Sequence, residues 1–232
     1  MPDTVTELTN YANQKCNGQD SVTLQTAFAL SCNTAFVEMS EQIGADELRK
    51  YAKAFGVGEN YDLGVSTSGG TLGDLPDGAA TAQSAIGQRD VTMTALQAAV
   101  MAGTVANKGT RMQPYLVNRI TDAQMKDVRT TKPKKADQAV NEETAATLTD
   151  LMYASERSSW GYDGNGFASK TGTAEHGEGL APHVWYVAFD PERDIAVGVV
   201  VKNGGNLGES ATGGKVSGPI GRAILRAYQG EQ

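Results

Sequence analysis

The stretch Phe167-Ala168-Ser169-Lys170-Thr171-Gly172-Thr173-Ala174-Glu175 reads as a strand edge built to receive a ligand. Its centre offers a cation, a hydroxyl and a residue without a side chain in three consecutive positions. On an extended backbone alternate side chains share a face. Lys170 and Gly172 therefore fall on one side, Thr171 and Thr173 on the other. With no Cβ at Gly172, an extended ligand can come close to the backbone there. A Lys-Thr-Gly tripeptide alone is a weak signal, and its meaning rests on its company.

That company lies far upstream at Ser31-Cys32-Asn33, between the apolar run Leu24 to Leu30 and the segment Thr34 to Ile43. A Ser-x-Asn followed much later by Lys-Thr-Gly on a strand resembles two of the three parts of the penicillin-recognising serine enzyme signature, whose third part is Ser-x-x-Lys. That third part is missing. The residue three before Lys15 is Ala12, before Lys50 Glu47, before Lys108 Val105 and before Lys170 Phe167. Thr212-Gly213-Gly214-Lys215 comes near, but with a threonine and at the wrong end. The expectation is a catalytic cleft whose nucleophile belongs to a segment ahead of residue 1.

The 232 residues, 40% of them hydrophobic, suffice for one large domain or two small ones with a real core. A net charge of −7 argues against nucleic acid as a partner. The longest apolar run, Ile195 to Val201, is far short of the ~20 residues of a membrane span. Met1 is followed at once by polar residues, so no signal peptide is read, and the start looks like a fragment boundary. Cys16 and Cys32 are the only cysteines, which excludes a four-ligand zinc site and leaves two readings: two separate small hydrophobes, or one disulfide. No cofactor or metal is implied.

Along the chain, Met1 to Asp20 is polar and turn-rich, with a turn at Asn17-Gly18. Ser21 caps a short helix through Leu30. A second helix carries Phe36, Met39, Ser40 and Ile43 at helical spacing and stops at Gly44, and a third runs from Asp46 to Phe55, closed by Gly56. Gly58 to Asp90 reads as loop, a surface connection rather than a wall of the groove. Thr94 caps the clearest helix, whose Leu96, Ala99, Val100 and Gly103 form a narrow stripe of small apolar residues suited to close packing. A strand is expected at Tyr115 to Ile120, then a solvated basic hairpin tip with Lys126, Arg129, Lys132, Lys134 and Lys135. Asn141 to Tyr153 is a helix, and Ser155 to Gly166 a loop carrying Trp160 and Tyr162. The Lys170 strand, His183 to Phe189 and Ile195 to Val201 make an antiparallel meander turning at Asp190-Pro191-Glu192-Arg193-Asp194. A last helix turns Val216, Ile220, Ile224, Leu225 and Tyr228 one way to cover that sheet. The fold class is α+β: residues about 21–110 form a mainly helical part with Ser31, and about 111–232 an antiparallel sheet part, with packed helices, carrying Lys170.

Gly208 to Val216 fails as a phosphate loop, because five residues separate Gly208 from Gly214 and Val216 follows Lys215. No G-x-S-x-G elbow occurs. His176 and His183, the only histidines, read as loop and strand-edge residues rather than metal ligands. With these removed, the whole chain resembles the C-terminal portion of the transpeptidase domain of a class B penicillin-binding protein. The resemblance rests on Ala29-Leu30-Ser31-Cys32-Asn33-Thr34-Ala35-Phe36, Ile86-Gly87-Gln88, Thr94-Ala95-Leu96-Gln97-Ala98, Ala106-Asn107-Lys108-Gly109 and Lys170-Thr171-Gly172-Thr173-Ala174-Glu175, each weak alone and specific in this order.

The resemblance implies a serine D,D-transpeptidase with the fold shared by these enzymes and serine β-lactamases. It would cross-link peptidoglycan stem peptides through an acyl-enzyme and be acylated by β-lactam antibiotics. Ser31 would pass a proton toward the leaving amine, Asn33 hold the substrate amide, and Lys170 supply positive potential. The Thr171 and Thr173 hydroxyls would bind the substrate carboxylate beside Gly172, and the Thr173 N–H would form half of an oxyanion hole. Cys16 and Cys32 resemble a pair that is bonded in one subgroup. The parent would be membrane-anchored, work on the extracytoplasmic face of the cell membrane, and depend on its N-terminal part for the nucleophile. A non-catalytic penicillin sensor is the competing reading; a β-lactamase would need a water-activating base for which no clear candidate is present.

Overall fold

The computed structural model describes residues 8–10 and 14–230. The turn-rich reading of residues 1–7 and 11–13 lies outside them. The architecture is α+β, as the sequence leads one to expect. After a 3-10 turn at Cys16–Gly18 come α1 (Leu24–Ala29) and α2 (Asn33–Ala54). The cap of α1 is Thr23, whose hydroxyl accepts from the Thr26 N–H, and not Ser21. Gly44 interrupts α2 with φ 74° and ψ 171°, so the two helices expected here meet at a kink.

The segment read as a long loop contains a helix, α3 (Gly78–Ala85), capped by Asp77. Its Gly-Ala-Ala-Thr-Ala-Gln-Ser-Ala composition hides it, because burial of its small residues supplies what periodicity does not show. Helix α4 (Ala95–Ala106) begins with a reciprocal capping box between Thr94 and Gln97. Its small residues let it cross the sheet closely: a Cβ added to Gly198 would stand 2.3 Å from Ala95 O and 2.7 Å from Ala99 N.

The strand expected at Tyr115 to Ile120 is instead two short ones, β1 (Thr110–Met112) and β2 (Arg119–Thr121), on either side of Pro114. They pair antiparallel with β4 (Lys135–Gln138) and β3 (Asp127–Thr130) respectively. Helix α5 (Glu142–Ser158) runs one turn beyond Tyr153 and takes in Ser155, read from sequence as loop. The meander then follows as β5 (Ala168–Ala174), β6 (His183–Asp190) and β7 (Ile195–Val201), in spatial order β5-β6-β7, with Gly172 opposite Trp185.

Both faces of the meander are covered. On one, Ala168 and Phe189 pack with Ala102 and Val105 of α4, Met152 of α5 and, at the margin, Phe28 of α1. On the other, Phe167, Tyr186, Ala188 and Val197 pack under Leu225 of α6 (Ser217–Gly230). The inward stripe of α6 differs from the expected one. Gly218, Gly221, Arg222 and Leu225 are buried, while Ile220 and Ile224 are exposed. The reason is contact distance: the Tyr186 ring lies against Gly221, where a Cβ would stand 2.3 Å from it, so the helix turns its smallest residues inward.

Candidate functional site

The two motifs meet. Helix α1 ends at Ala29, and Ser31 adopts a left-handed φ of 57° that reverses the chain before α2 begins. Such a conformation is uncommon for a residue with a Cβ. It presents the Ser31 hydroxyl toward β5, where Lys170 Nζ donates to Ser31 Oγ at 2.8 Å across 139 residues of sequence. Lys170 Nζ also donates to the Thr171 carbonyl at 2.8 Å and lies 5.8 Å from the centre of the Phe28 ring, a cation–π distance. Burial lowers the Lys170 ammonium to about 8. The turn bearing Ser31 is tied to the preceding segment by a Cys16–Cys32 disulfide with Cα atoms 5.6 Å apart, and Cys32 is buried.

The remaining motif residues are distributed along the same edge. Thr173 is exposed, and its Oγ1 accepts from the Gly213 N–H at 3.4 Å. Gly172 turns its bare side to Trp185, whose Cβ would be 3.2 Å from an added Cβ. Thr171 is half-buried between them. Asn33 is the residue not brought in. Its Nδ2 donates to the Thr9 carbonyl at 3.4 Å rather than to any residue of β5.

Behind the edge lies a buried polar network. Ser169, next to Lys170 and on the opposite face of β5, donates to Glu156 Oε2, as does Tyr186 OH at 3.0 Å. Glu156 Oε1 accepts from Arg222 Nε at 2.6 Å and from Asn165 Nδ2 at 2.9 Å. Burial acts to raise the Glu156 carboxyl, but hydrogen bonds from Arg222, Ser169 and Asn165 outweigh it and hold the group below its ordinary range. One carboxylate thus joins α5, β5, β6 and α6 and fixes the strand that carries Lys170.

Several site neighbours were not legible as such. Gln88 Nε2 reaches the Thr173 carbonyl at 3.5 Å, so the end of the segment read as a surface connection borders the groove. Gly213 sits directly on the strand pair: a Cβ there would stand 2.5 Å from Trp185 O and 2.7 Å from Gly172 O. Its signal in the sequence, Thr212-Gly213-Gly214, was present but pointed to no partner. The His176 and His183 rings lie tilted against each other with centres 4.0 Å apart, and both bond Asn203. Among the described residues no cluster of His, Cys, Asp or Glu is arranged to hold a metal ion.

Residues 2–226 match the family profile of the penicillin binding protein transpeptidase domain. Among curated proteins, the chain is 44% identical to the peptidoglycan D,D-transpeptidase PbpA of Mycolicibacterium smegmatis, over 98% of this chain and 48% of that protein. It is 42% identical to PbpA of Mycobacterium tuberculosis, over 100% of this chain and 49% of that one. Among solved structures, penicillin-binding protein A from M. tuberculosis superposes as its ceftriaxone acyl-enzyme complex with a TM-score of 0.92 at 40% identity, covering 97% of this chain and 53% of the other. Its penicillin G acyl-enzyme complex gives 0.91 at 40% identity, covering 98% and 53%. The chain spans about half the length of the relatives it matches. With the family profile matched over residues 2–226 and relatives 42–44% identical over nearly its whole length, the chain belongs to the penicillin-binding protein transpeptidase family, class B.

Proposed function

We propose that these residues form the substrate-binding half of a peptidoglycan D,D-transpeptidase that is also acylated by β-lactams. The observation that carries the reading is the 2.8 Å hydrogen bond from Lys170 Nζ to Ser31 Oγ, which converts two separate motifs into one proton-handling pair. With its ammonium lowered to about 8, Lys170 exchanges a proton near neutral pH while keeping positive potential at the groove. Ser31 Oγ, which accepts from it, carries the proton toward the leaving amine. The Thr171 and Thr173 hydroxyls bind the D-Ala carboxylate, and the Thr173 N–H donates to the developing oxyanion.

The sequence holds no Ser-x-x-Lys, so the acylated serine is supplied by chain outside these residues. Asn33, bonded to Thr9 here, takes up its role toward the substrate amide when that segment is in place. The site works on the extracytoplasmic face of the membrane; among the described residues no helix is long and apolar enough to cross it.

Intact mass after incubation with penicillin G tests the reading, on this chain and on a protein extended to the length of its relatives. Mass gain by the extended protein alone is the expected result. Gain by neither, with both folded, would overturn the transpeptidase reading in favour of a non-catalytic binding module.

A further inference from the structure

Residues 110–138 form one long antiparallel ribbon. Its root is β1 paired with β4, continued by the Gln113 N–H to Lys134 O bond; its outer part is β2 paired with β3, continued by the Thr131 N–H to Asn118 O bond. The root is fastened to the body: Arg111 is buried, pairs with Glu59 at 2.7 Å and donates to Ala54 O at 2.9 Å. The outer part is not. From Tyr115 to Lys135 only Thr121 and Thr131 are even partly buried.

This arm gathers exposed apolar residues together with cations. Met125, Val128 and Leu116 are 72%, 67% and 65% exposed, and Val117, Ile120 and Tyr115 are exposed beside them. A bare two-stranded ribbon is marginal in water, and alternation puts Leu116 and Ile120 on one face and Tyr115 and Val117 on the other, so both faces of the arm, like its tip, offer apolar side chains to a surface that can surround it. Interleaved with it, residues 113–135 hold six cations and two acids, a net +4 in a chain whose total is −7. Both acids are occupied: Asp122 accepts from the Gln124 and Lys126 N–H groups to close the tip, and Asp127 faces Arg119. Among the described residues Lys126, Arg129, Lys132 and Lys134 have no ion-pair partner.

The tip itself carries the third sign. Met125 has φ 63°, at a hairpin position where glycine or asparagine is favoured, and among the described residues it is the most exposed of the large apolar side chains. An apolar side chain is thus held outward at a conformational cost.

We propose that this arm docks on an anionic lipid surface, with Met125 and its apolar neighbours entering the headgroup layer and Lys126, Arg129, Lys132 and Lys134 meeting lipid phosphates. Charge selects this occupant. The body of the protein is acidic and is repelled by an anionic bilayer, so attraction is confined to the arm and fixes which side faces the lipid. A purely polar polyanion would use the cations and leave the apolar residues idle. The proposal is independent of the transpeptidase reading: a protein that is acylated by penicillin yet ignores vesicles would keep the one and lose the other.

The test is flotation with vesicles of phosphatidylglycerol and phosphatidylcholine mixed, against vesicles of phosphatidylcholine alone, for this chain and for the protein extended upstream through its nucleophile segment but short of any membrane anchor. Both proteins are expected to float with the anionic vesicles only, and less as salt is raised. Each removed cation that reaches the surface lowers affinity about fivefold, so the set Lys126→Ser, Arg129→Ser, Lys132→Ser and Lys134→Ser is expected to cost more than about tenfold. Met125→Gly, which suits the tip conformation and leaves folding intact, is expected to lower binding several-fold with no loss of thermal stability. Absence of flotation, equal flotation with both vesicle types, equal flotation of wild type and variants, or loss of flotation in the extended protein would each overturn the proposal. Arm-dependent dimerisation without vesicle binding would also overturn it and assign the arm to a second copy of the chain.

Discussion

Lys170 concentrates the chemistry of the site in one side chain. A lysine whose folded-state pKa is lowered holds fewer protons than the unfolded chain between the two values. Its burial therefore costs stability below about pH 8, and that cost is relieved as pH rises toward the ordinary 10.5. Lys170→Met should flatten this part of a urea-midpoint profile across pH 7–10.5; an unchanged profile would show that the amine titrates normally. In the extended protein, Ser31→Ala and Lys170→Gln should each slow β-lactam acylation by about 10²–10⁴-fold, the span of lost proton transfer, measured by stopped-flow mass. Behind the site, Glu156→Gln breaks a buried ion pair and should destabilise by roughly 3–5 kcal/mol in urea unfolding. Pairing it with Arg222→Met should recover part of the loss, since no uncompensated charge then remains. Gly213→Ala tests the groove wall, because its methyl collides with the carbonyls of Trp185 and Gly172 and must push residues 212–216 off β5.

At the scale of elements, the meander and the capped helices were legible because their signals are local: β-branched runs between turns, and Thr94 or Asn141 ahead of a helical period. What failed was decided by partners distant in sequence. Helix α3 and the inward stripe of α6 follow from how closely small residues can approach a neighbour, and neither Ile220 nor Ile224 announces that Tyr186 will claim the glycine side. The candidate site was readable as motifs, yet its supporting carboxylate, Glu156, is a single residue in a helix with no motif of its own. The connection after β5 adds a testable latch. His183 Nδ1 accepts from the Asn203 N–H, so that nitrogen carries no proton, and burial, His176 and Lys202 all lower the pKa of His183. The unfolded chain then binds the extra proton first as pH falls, and the latch loses stability as pH drops through the ordinary histidine range near 6.5. Protection against hydrogen exchange across residues 175–182, taken relative to the intrinsic exchange rate at each pH, should fall between about pH 7 and 5, and His183→Gln should remove the dependence.

For the molecule as a whole, the one covalent tie beyond the backbone is the Cys16–Cys32 disulfide. Reducing the Cys16–Cys32 disulfide, which closes a loop of 16 residues, should cost about 3 kcal/mol in the chain-entropy account, read as a lower urea midpoint with reductant present. Among the described residues the outer edge of β7 has no strand partner, and Ile220 and Ile224 of α6 are exposed, so the 232-residue chain should associate more readily than the extended protein in light scattering. The Ser31–Lys170 bond has a further consequence, in time rather than in space. Strands β5, β6 and β7 meet through local connections, residues 175–182 and 191–194, whereas Ser31 and Lys170 are 139 residues apart; closing that loop in an open chain costs about 2 kcal/mol more entropy than closing the disulfide loop. Contacts of such low locality form late in folding. Reactivity of the Lys170 amine, followed during refolding, is therefore a clock for the final step, and a chain leaving synthesis acquires its chemistry only when everything between its two motifs is already in place.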